Sequence, residues 1–337
     1  MRAMSSMFPK ILCWFPAALG AGLTVWLGAA EPVRADWYSD RQDKMGTRIE
    51  VQIWHDDPVE AERLLAAAMA EVERIDRNMS TYIADSELSQ LNARAASEPV
   101  VISYELFDLL RVALNLSEAT GGAFDVTYDS VGYLYDFRAH VRPSSESIAE
   151  VLDAVDYRHV VLEAKRSSVS FTQPGVRINL GGIAKGHTVE RVIGLLREQG
   201  IEHALASAGG DTRILGDRSG YPWVVGIRDP DDNGGVATRL AVVNEAISTS
   251  GDYERYFIED GRRYHHILNP ASGTPVTGIR SVTVIGPEAT MTDGLSTSVF
   301  VLGRQRGLEL IESLPDYETV IIESGGQLVY SSGLDSH

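Results

Sequence analysis

The order of helix-like and strand-like segments limits the possible fold of this chain more than any other feature of its sequence. Residues 47–54 (TRIEVQIW) alternate in polarity as a half-buried strand does, and residues 57–77 follow with Asp57 as N-cap and apolar side chains at helical spacing. Ser103 is predicted to cap a second long helix, whereas short strands dominate after residue 200. Because the helices come mostly early and the strands follow one another in hairpins, we expect an α+β fold with antiparallel sheets rather than a doubly wound nucleotide-binding fold.

The N-terminal segment differs from the rest of the chain. Basic residues precede an apolar run over residues 14–30, and Val33-Arg34-Ala35 offers small side chains at the spacing that a signal peptidase accepts. We therefore predict a secretory signal over residues 1–35 and one continuous unit over residues 36–337, exported to the periplasm. A membrane anchor is the alternative if the signal is not cleaved, but Pro16 and three glycines interrupt a run that is barely long enough to span a bilayer.

Composition excludes several kinds of chemistry. The one cysteine, Cys13, lies within the predicted signal segment, so the mature protein is expected to have no disulfide, no thiolate metal site and no cysteine nucleophile. The 30 basic and 47 acidic residues give a net charge of −17, which would repel a nucleic acid. An anionic small ligand would need a local positive site or a cation.

Two glycine pairs follow predicted strands. In residues 176–191, a strand runs into Gly181-Gly182 and then a helix that carries Lys185 near its start. Backbone amides at such a junction can hold a phosphate, and a tight strand-to-helix turn is the alternative. The second pair, Gly209-Gly210, precedes Asp211, which could hold a ligand hydroxyl or only form a turn hydrogen bond.

Asp293 and Thr297 stand four residues apart at the start of a predicted helix, so that a carboxylate and a hydroxyl share one helix face. This pair can hold a hard cation such as Mg²⁺, which prefers oxygen ligands. The alternative is that Asp293 complements the helix N-terminus and Thr297 bonds back into the helix.

Two adjacent histidines, His265 and His266, lie at the end of a predicted hairpin that turns at Asp260-Gly261. Consecutive side chains of a strand point to opposite faces, which argues against a metal site made of both. One histidine can serve as a catalytic base while the other faces solvent or core.

The segments described above resemble, in the same order, the ApbE family of FAD:protein FMN transferases. The match covers nearly the whole chain after residue 35 and depends on many short motifs. These motifs are Met45-Gly46-Thr47, residues 79–92 (MSTYIADSELSQLN), residues 121–125 (GGAFD), residues 179–186, residues 209–211, residues 250–256 (SGDYERY), residues 266–270 with Gly273, and Asp293 with Thr297. The resemblance implies a single α+β catalytic unit in which antiparallel sheets are flanked by helices and FAD binds in a central cleft.

The resemblance also implies roles for matching residues. Mg²⁺ would be held by the Gly182 carbonyl, Asp293 and Thr297, and His266 falls where the family has an important histidine, leaving His265 as a bystander. The positions that match FAD contacts are Met45, Tyr82, Ala123, Phe124, Asp125, Asn179, Lys185 and the main chain near Leu268. The family commonly has Asp at the positions of Asn179 and Asn269, so a hydrogen bond to the cofactor is expected to be rearranged.

The implied activity is Mg²⁺-dependent transfer of FMN from FAD to a Thr or Ser hydroxyl of a target flavoprotein, with release of AMP. The implied acceptor is an exported or membrane-anchored redox subunit, and Tyr82 favours transfer over hydrolysis. His266 would accept the hydroxyl proton or orient the phosphate. Two alternatives stay open: a metal-dependent FAD pyrophosphatase that gives FMN and AMP, and a non-catalytic protein that binds flavin or assists assembly.

Overall fold

An antiparallel sheet of eight strands is the centre of the computed structural model, which describes residues 35–232 and 235–334. The predicted signal segment, except for Ala35, lies outside these described residues.

The helices of the described residues are α1 (Pro58–Met79), α2 (Glu87–Arg94), α3 (Tyr104–Ala119), α4 (Asp129–Gly132), α5 (Ser145–Val151), α6 (Ala184–Glu198) and α7 (Ala289–Glu312). The strands are β1 (Asp36–Lys44), β2 (Thr47–His55), β3 (Val100–Val101), β4 (Val160–Glu163), β5 (Ser168–Phe171), β6 (Ala204–Ala208), β7 (Asp211–Leu215), β8 (Trp223–Arg228), β9 (Val236–Val242), β10 (Ala246–Gly251), β11 (Tyr256–Glu259), β12 (Arg262–His265), β13 (Leu268–Asn269), β14 (Thr274–Pro275), β15 (Ile279–Gly286), β16 (Glu318–Glu323) and β17 (Leu328–Tyr330).

The large sheet has the order β1-β2-β6-β7-β10-β15-β16-β17, and every neighbouring pair is antiparallel. Smaller sheets in the described residues are β3-β5-β4 and the two-stranded pairs β8-β9, β11-β12 and β13-β14. Together with the helices, these sheets confirm the predicted α+β class.

Several local predictions are confirmed because the residues that direct them act over short range. Ser103 is the N-cap of α3, its hydroxyl accepting from Leu106 N–H at 3.3 Å, and Asp57 caps α1. Asp260 and Gly261 have φ values of 50° and 75° and join β11 to β12. Strand β1 was not predicted, because its charged residues obscure the alternation. It lies at the edge of the sheet, where such residues discourage pairing with other chains.

Helices α1 and α6 cover one part of the sheet. The buried side chains of α1 between Ala61 and Val72 pack with apolar residues of α6, β2 and β6 in one cluster. Helix α7 packs against α6 and against β10 and β15, and it is interrupted at Gly303, where φ is 77°. No helix among the described residues is both long and apolar enough to cross a membrane.

Candidate active site at the start of helices α6 and α7

Helices α6 and α7 approach each other closely at Gly186. A methyl group added there would lie 2.1 Å from the Ala289 carbonyl oxygen and 2.7 Å from Asp293 Cβ, so only glycine fits. Gly186 N–H donates to Asp293 Oδ2 at 2.9 Å. Gly186 is the third residue of α6, whose N-cap is Ile183, so its N–H is one of the first-turn amides that have no partner within the helix. Asp293 supplies that partner.

Thr297 lies one turn further along α7 and faces the same glycine turn. A methyl group added at Gly182 would lie 3.3 Å from Thr297 Oγ1 and 3.2 Å from the ring of Phe124. The Thr297 hydroxyl is also 3.2 Å from Ser250 Oγ, which in turn is 2.8 Å from Ser296 Oγ. The structure thus brings Gly182, Asp293 and Thr297 together, and the hydroxyl of Ser250 fixes the position of Thr297.

Lys185, in the first turn of α6, joins two buried carboxylates. Its ammonium donates to Asp211 Oδ2 and lies 3.6 Å from Asp293 Oδ1. Burial and the carboxylate of Asp211 raise the pKa of Asp293 to about 7. Burial alone would lower the pKa of Lys185, but the two carboxylates raise it above its ordinary value. Asp211 therefore does not make the turn hydrogen bond considered from sequence, because its carboxylate contacts the lysine.

The residues present fit a divalent cation. Two buried carboxylates face one ammonium, and Asp211 Oδ1 is buried without a hydrogen-bond partner among the described residues. Within residues 35–232 and 235–334, no group of three or more His, Cys, Asp or Glu side chains is arranged to hold a metal. A cation here would need hydroxyl and carbonyl oxygens beside the carboxylate of Asp293, as Thr297 and Gly182 supply.

His265 and His266 have different environments. His265 is 3% exposed; its Nε2–H donates to the Val276 carbonyl at 2.8 Å and its Nδ1 accepts from Ile267 N–H at 3.3 Å. His266 Nδ1 is buried and has no hydrogen-bond partner in the described part of the chain. Burial, with the positive charge of Arg255, lowers the pKa of His266 to about 3. His265 is therefore a satisfied core side chain, whereas His266 is neutral and has a free ring nitrogen.

Asn179 forms one hydrogen bond that an ionised aspartate could not make, because that bond needs an N–H donor. Its Nδ2 donates to Asp129 Oδ1 at 3.2 Å, and its Oδ1 accepts from Gly181 N–H at 2.8 Å. An aspartate at this position would face the carboxylate of Asp129 without a donor. The amide therefore matches the residues around it and holds the glycine turn.

The other predicted FAD contacts differ in their exposure. Met45 lies in the turn between β1 and β2 with φ 53°, whereas Tyr82 is 88% exposed. Phe124 is buried beside Gly182, and Ala123 precedes it. The Asp125 carboxylate is occupied by Thr127 and by the amide of Tyr157, and Leu268 is buried, so a ligand would meet the main chain at these two residues.

Sequence reasoning missed Ser250, Asp129 and the contact between Asp211 and Lys185. Ser250 and Asp211 lie within motifs that carry the family resemblance, and these motifs are the sequence feature that could have indicated their place in the site. Their partners are far away in sequence and become visible only in the folded chain.

The chain is similar in sequence to several known proteins. The sequence pattern of the ApbE family matches residues 45–321. The FAD:protein FMN transferase of Treponema pallidum is 33% identical over 317 residues, covering 88% of this chain and 87% of the relative. The protein of the same name from Vibrio cholerae is 36% identical over 249 residues, covering 72% and 74%.

Solved structures give the same result. The crystal structure of the ApbE protein from Thermotoga maritima matches with a TM-score of 0.83 and 33% identity, covering 89% of this chain and 98% of that one. The flavin transferase ApbE from Vibrio cholerae matches with a TM-score of 0.78 and 30% identity, covering 90% and 99%. This chain belongs to the ApbE family.

Proposed function

We propose that this protein is a transferase that moves FMN from FAD to a Thr or Ser hydroxyl of an acceptor flavoprotein and releases AMP. Relatives that match most of the chain are named FAD:protein FMN transferase. The observation that carries the proposal is the meeting of Lys185, Asp293, Thr297 and the Gly182 turn at the start of α6, where an anionic diphosphate and a cation can be held side by side.

Mg²⁺ is the proposed cofactor, held by Asp293, Thr297 and the Gly182 carbonyl, and when bound it neutralises charge on the phosphate oxygens. Lys185 adds a fixed positive charge beside the same position. The paired glycines let the substrate approach the main chain. Lys185 and the paired glycines are in position before the substrate binds. Such prior positioning accounts for most of the acceleration of phosphoryl transfer.

In the proposed reaction, the acceptor hydroxyl oxygen bonds to the phosphorus on the flavin side of the diphosphate. The bond from that phosphorus to the bridging oxygen breaks, and AMP leaves with this oxygen. The hydroxyl proton passes to a base or to solvent. His266 is the proposed catalytic residue, because its neutral ring has a nitrogen without a hydrogen-bond partner in the described part of the chain, and this nitrogen can accept the proton or orient the phosphate.

The proposed acceptors are redox subunits that are exported or anchored in a membrane. We also propose that residues 1–35 are a signal, that residues 36–337 form one catalytic domain, and that the protein works in the periplasm. Mass spectrometry of the protein isolated from the periplasm is expected to find an N-terminus at Asp36. Retention of the full chain in the cytoplasm would contradict this part of the proposal.

The activity is tested by incubating the protein with FAD, Mg²⁺ and a candidate acceptor domain, with and without EDTA. Intact mass and in-gel flavin fluorescence are expected to show one FMN added to the acceptor only with metal. Asp293→Asn should abolish this gain, whereas Asp260→Asn at the hairpin tip should not. Free FMN and AMP alone would favour the pyrophosphatase, and intact FAD with several acceptors would favour a binding protein.

A further inference from the structure

Among the described residues, Arg255 has no carboxylate partner, although the protein is strongly acidic. The chain has 47 acidic residues and 30 basic ones, and most arginines of the described residues form ion pairs or lie over aromatic rings. Arg255 is exposed, and its guanidinium forms no ion pair or hydrogen bond with any described residue. A free guanidinium in this setting is available for an anion from outside the chain.

The guanidinium of Arg255 lies over the turn that carries Met45. A methyl group added at Gly46 would be 3.1 Å from Arg255 Nη2, so this glycine leaves the space that the guanidinium uses. The main chain of Arg255 is held on its other side, because His266 N–H donates to its carbonyl at 3.1 Å. Arg255 therefore connects the β1–β2 turn with the segment of the candidate catalytic histidine.

The positive charge of Arg255 acts on three groups of the site. It contributes to the electrostatic environment of Lys185, of His266 and of the Tyr128 phenol. The Tyr128 hydroxyl would be 3.5 Å from a methyl group added at Gly181. Two cationic side chains, Arg255 and Lys185, thus both act on the pKa of His266. Of these two cations, only Lys185 forms ion pairs with residues that the structure describes, namely Asp211 and Asp293.

We infer that Arg255 binds the diphosphate of the dinucleotide substrate, together with Lys185 and the glycine turn. The inference rests on the proposed function for the identity of that substrate. A guanidinium can donate two parallel hydrogen bonds to phosphate oxygens, which gives direction as well as charge. Arg255 would therefore orient the diphosphate from the open side of the site, where no metal ligand is proposed.

The test uses fluorescence titrations of FAD and riboflavin and a competition titration of ADP, all with Mg²⁺. The proteins are the wild type, Arg255→Gln, Arg255→Lys and, as a control from the same exposed hairpin, Arg262→Gln. Arg255→Gln is expected to weaken FAD and ADP about tenfold, to leave riboflavin unchanged and to preserve the melting temperature. The affinities of Arg255→Lys for FAD and ADP should lie between those of the wild type and Arg255→Gln. Arg262→Gln should have the affinities of the wild type.

Unchanged FAD and ADP affinities in Arg255→Gln would overturn the inference, and so would an equal loss for riboflavin, since it has no phosphate. Failure of the proposed function is distinguishable. If the wild type binds ADP through Arg255 but does not bind FAD, the inferred diphosphate site stands and the proposed flavin substrate is wrong. If the wild type binds neither ADP nor FAD, both the inference about Arg255 and the proposed function are wrong.

Discussion

The ammonium nitrogen of Lys185 lies 3.6 Å from Oδ1 of Asp293 while it also donates to Asp211. Both carboxylates are almost fully buried, 1% exposed for Asp211 and 2% for Asp293. One lysine therefore compensates two acidic groups from different elements, β7 and α7. The start of α6 is held in place by charge as well as by packing.

Lys185→Met should destabilise the metal-free protein by about 3–5 kcal/mol, because it leaves buried carboxylates without their counter-ion. Urea unfolding in EDTA measures this difference. Adding Asp211→Asn to the same protein should recover part of the loss. Lys165→Met, in the exposed turn between β4 and β5, is the control and should change stability little. Equal stability of Lys185→Met and the wild type would contradict the ion-pair interpretation.

The sequence predicts those parts of the fold that depend on neighbouring residues. Ser103 caps its own helix, Asp260-Gly261 has the positive φ of a tight hairpin, and Asp293 and Thr297 share a face of α7 because helical spacing places them there. Each of these outcomes is decided within about four residues.

The remaining features depend on contacts between distant segments. Asp211 reaches Lys185 across 26 residues and Asn179 reaches Asp129 across 50, so neither pair leaves a local pattern. Strand β1 is stabilised by pairing with β2, although its own sequence is mainly polar. The family resemblance indicated which residues belong to the site, but it did not indicate how they contact one another.

Gly186→Ala should lower the free energy of unfolding by more than about 2 kcal/mol, because the new methyl group would lie 2.1 Å from the Ala289 carbonyl oxygen. Gly194→Ala is a matched control in the same helix, where an added methyl group meets nothing within 4 Å. That change should be neutral or stabilising by up to about 1 kcal/mol, since alanine favours a helix. Chemical denaturation of both variants gives the comparison, and similar losses in the two would contradict the close approach of α6 and α7.

His265→Ala should lower the stability of the protein, whereas His266→Ala should lower its activity. His265 has both ring nitrogens bonded and lies 5.7 Å from the Phe300 ring, so its removal should cost about 2–4 kcal/mol. FMN transfer per folded molecule should change little. His266→Ala should keep the melting temperature and lower the rate of transfer by about 10²–10⁴. Thermal melts and single-turnover rates measure the two effects, and equal losses of rate would contradict the assignment.

Asn179→Asp should destabilise the protein at neutral pH by about 1–3 kcal/mol, because a carboxylate replaces the amide that donates to Asp129. Burial already raises the pKa of Asp129, and a second carboxylate would raise the pKa of the pair further. The destabilisation should therefore be small below pH about 4, where the pair keeps a proton, and should grow as the pH rises. Melting temperatures across this range test the effect. Adding Asp129→Asn should restore stability at pH 7, and failure to do so would mean that Asp129 is not the cause.

Glu105 should make a contribution to stability that depends on pH. Its carboxylate accepts from His187 Nε2 at 3.1 Å and from Arg74 at 2.6 and 2.9 Å, linking α3 to α6 and α1. The hydrogen bonds from His187 and Arg74 lower its pKa to about 2. Because the folded state binds the proton less tightly than the unfolded state, the stabilisation is complete above the ordinary pKa, about 4.3, and is lost as the pH falls toward 2.

Glu105→Gln should therefore lower the free energy of unfolding by about 1–3 kcal/mol at pH 7, and its difference from the wild type should shrink between pH 4.5 and pH 2. Denaturant unfolding at several pH values measures the difference. Glu98→Gln is the control, because its pair with Arg94 is exposed and should contribute less than about 0.5 kcal/mol at any pH. A difference for Glu105→Gln that stays constant down to pH 2 would mean that the glutamate acts through packing, since only a charge effect follows the protonation of the carboxylate.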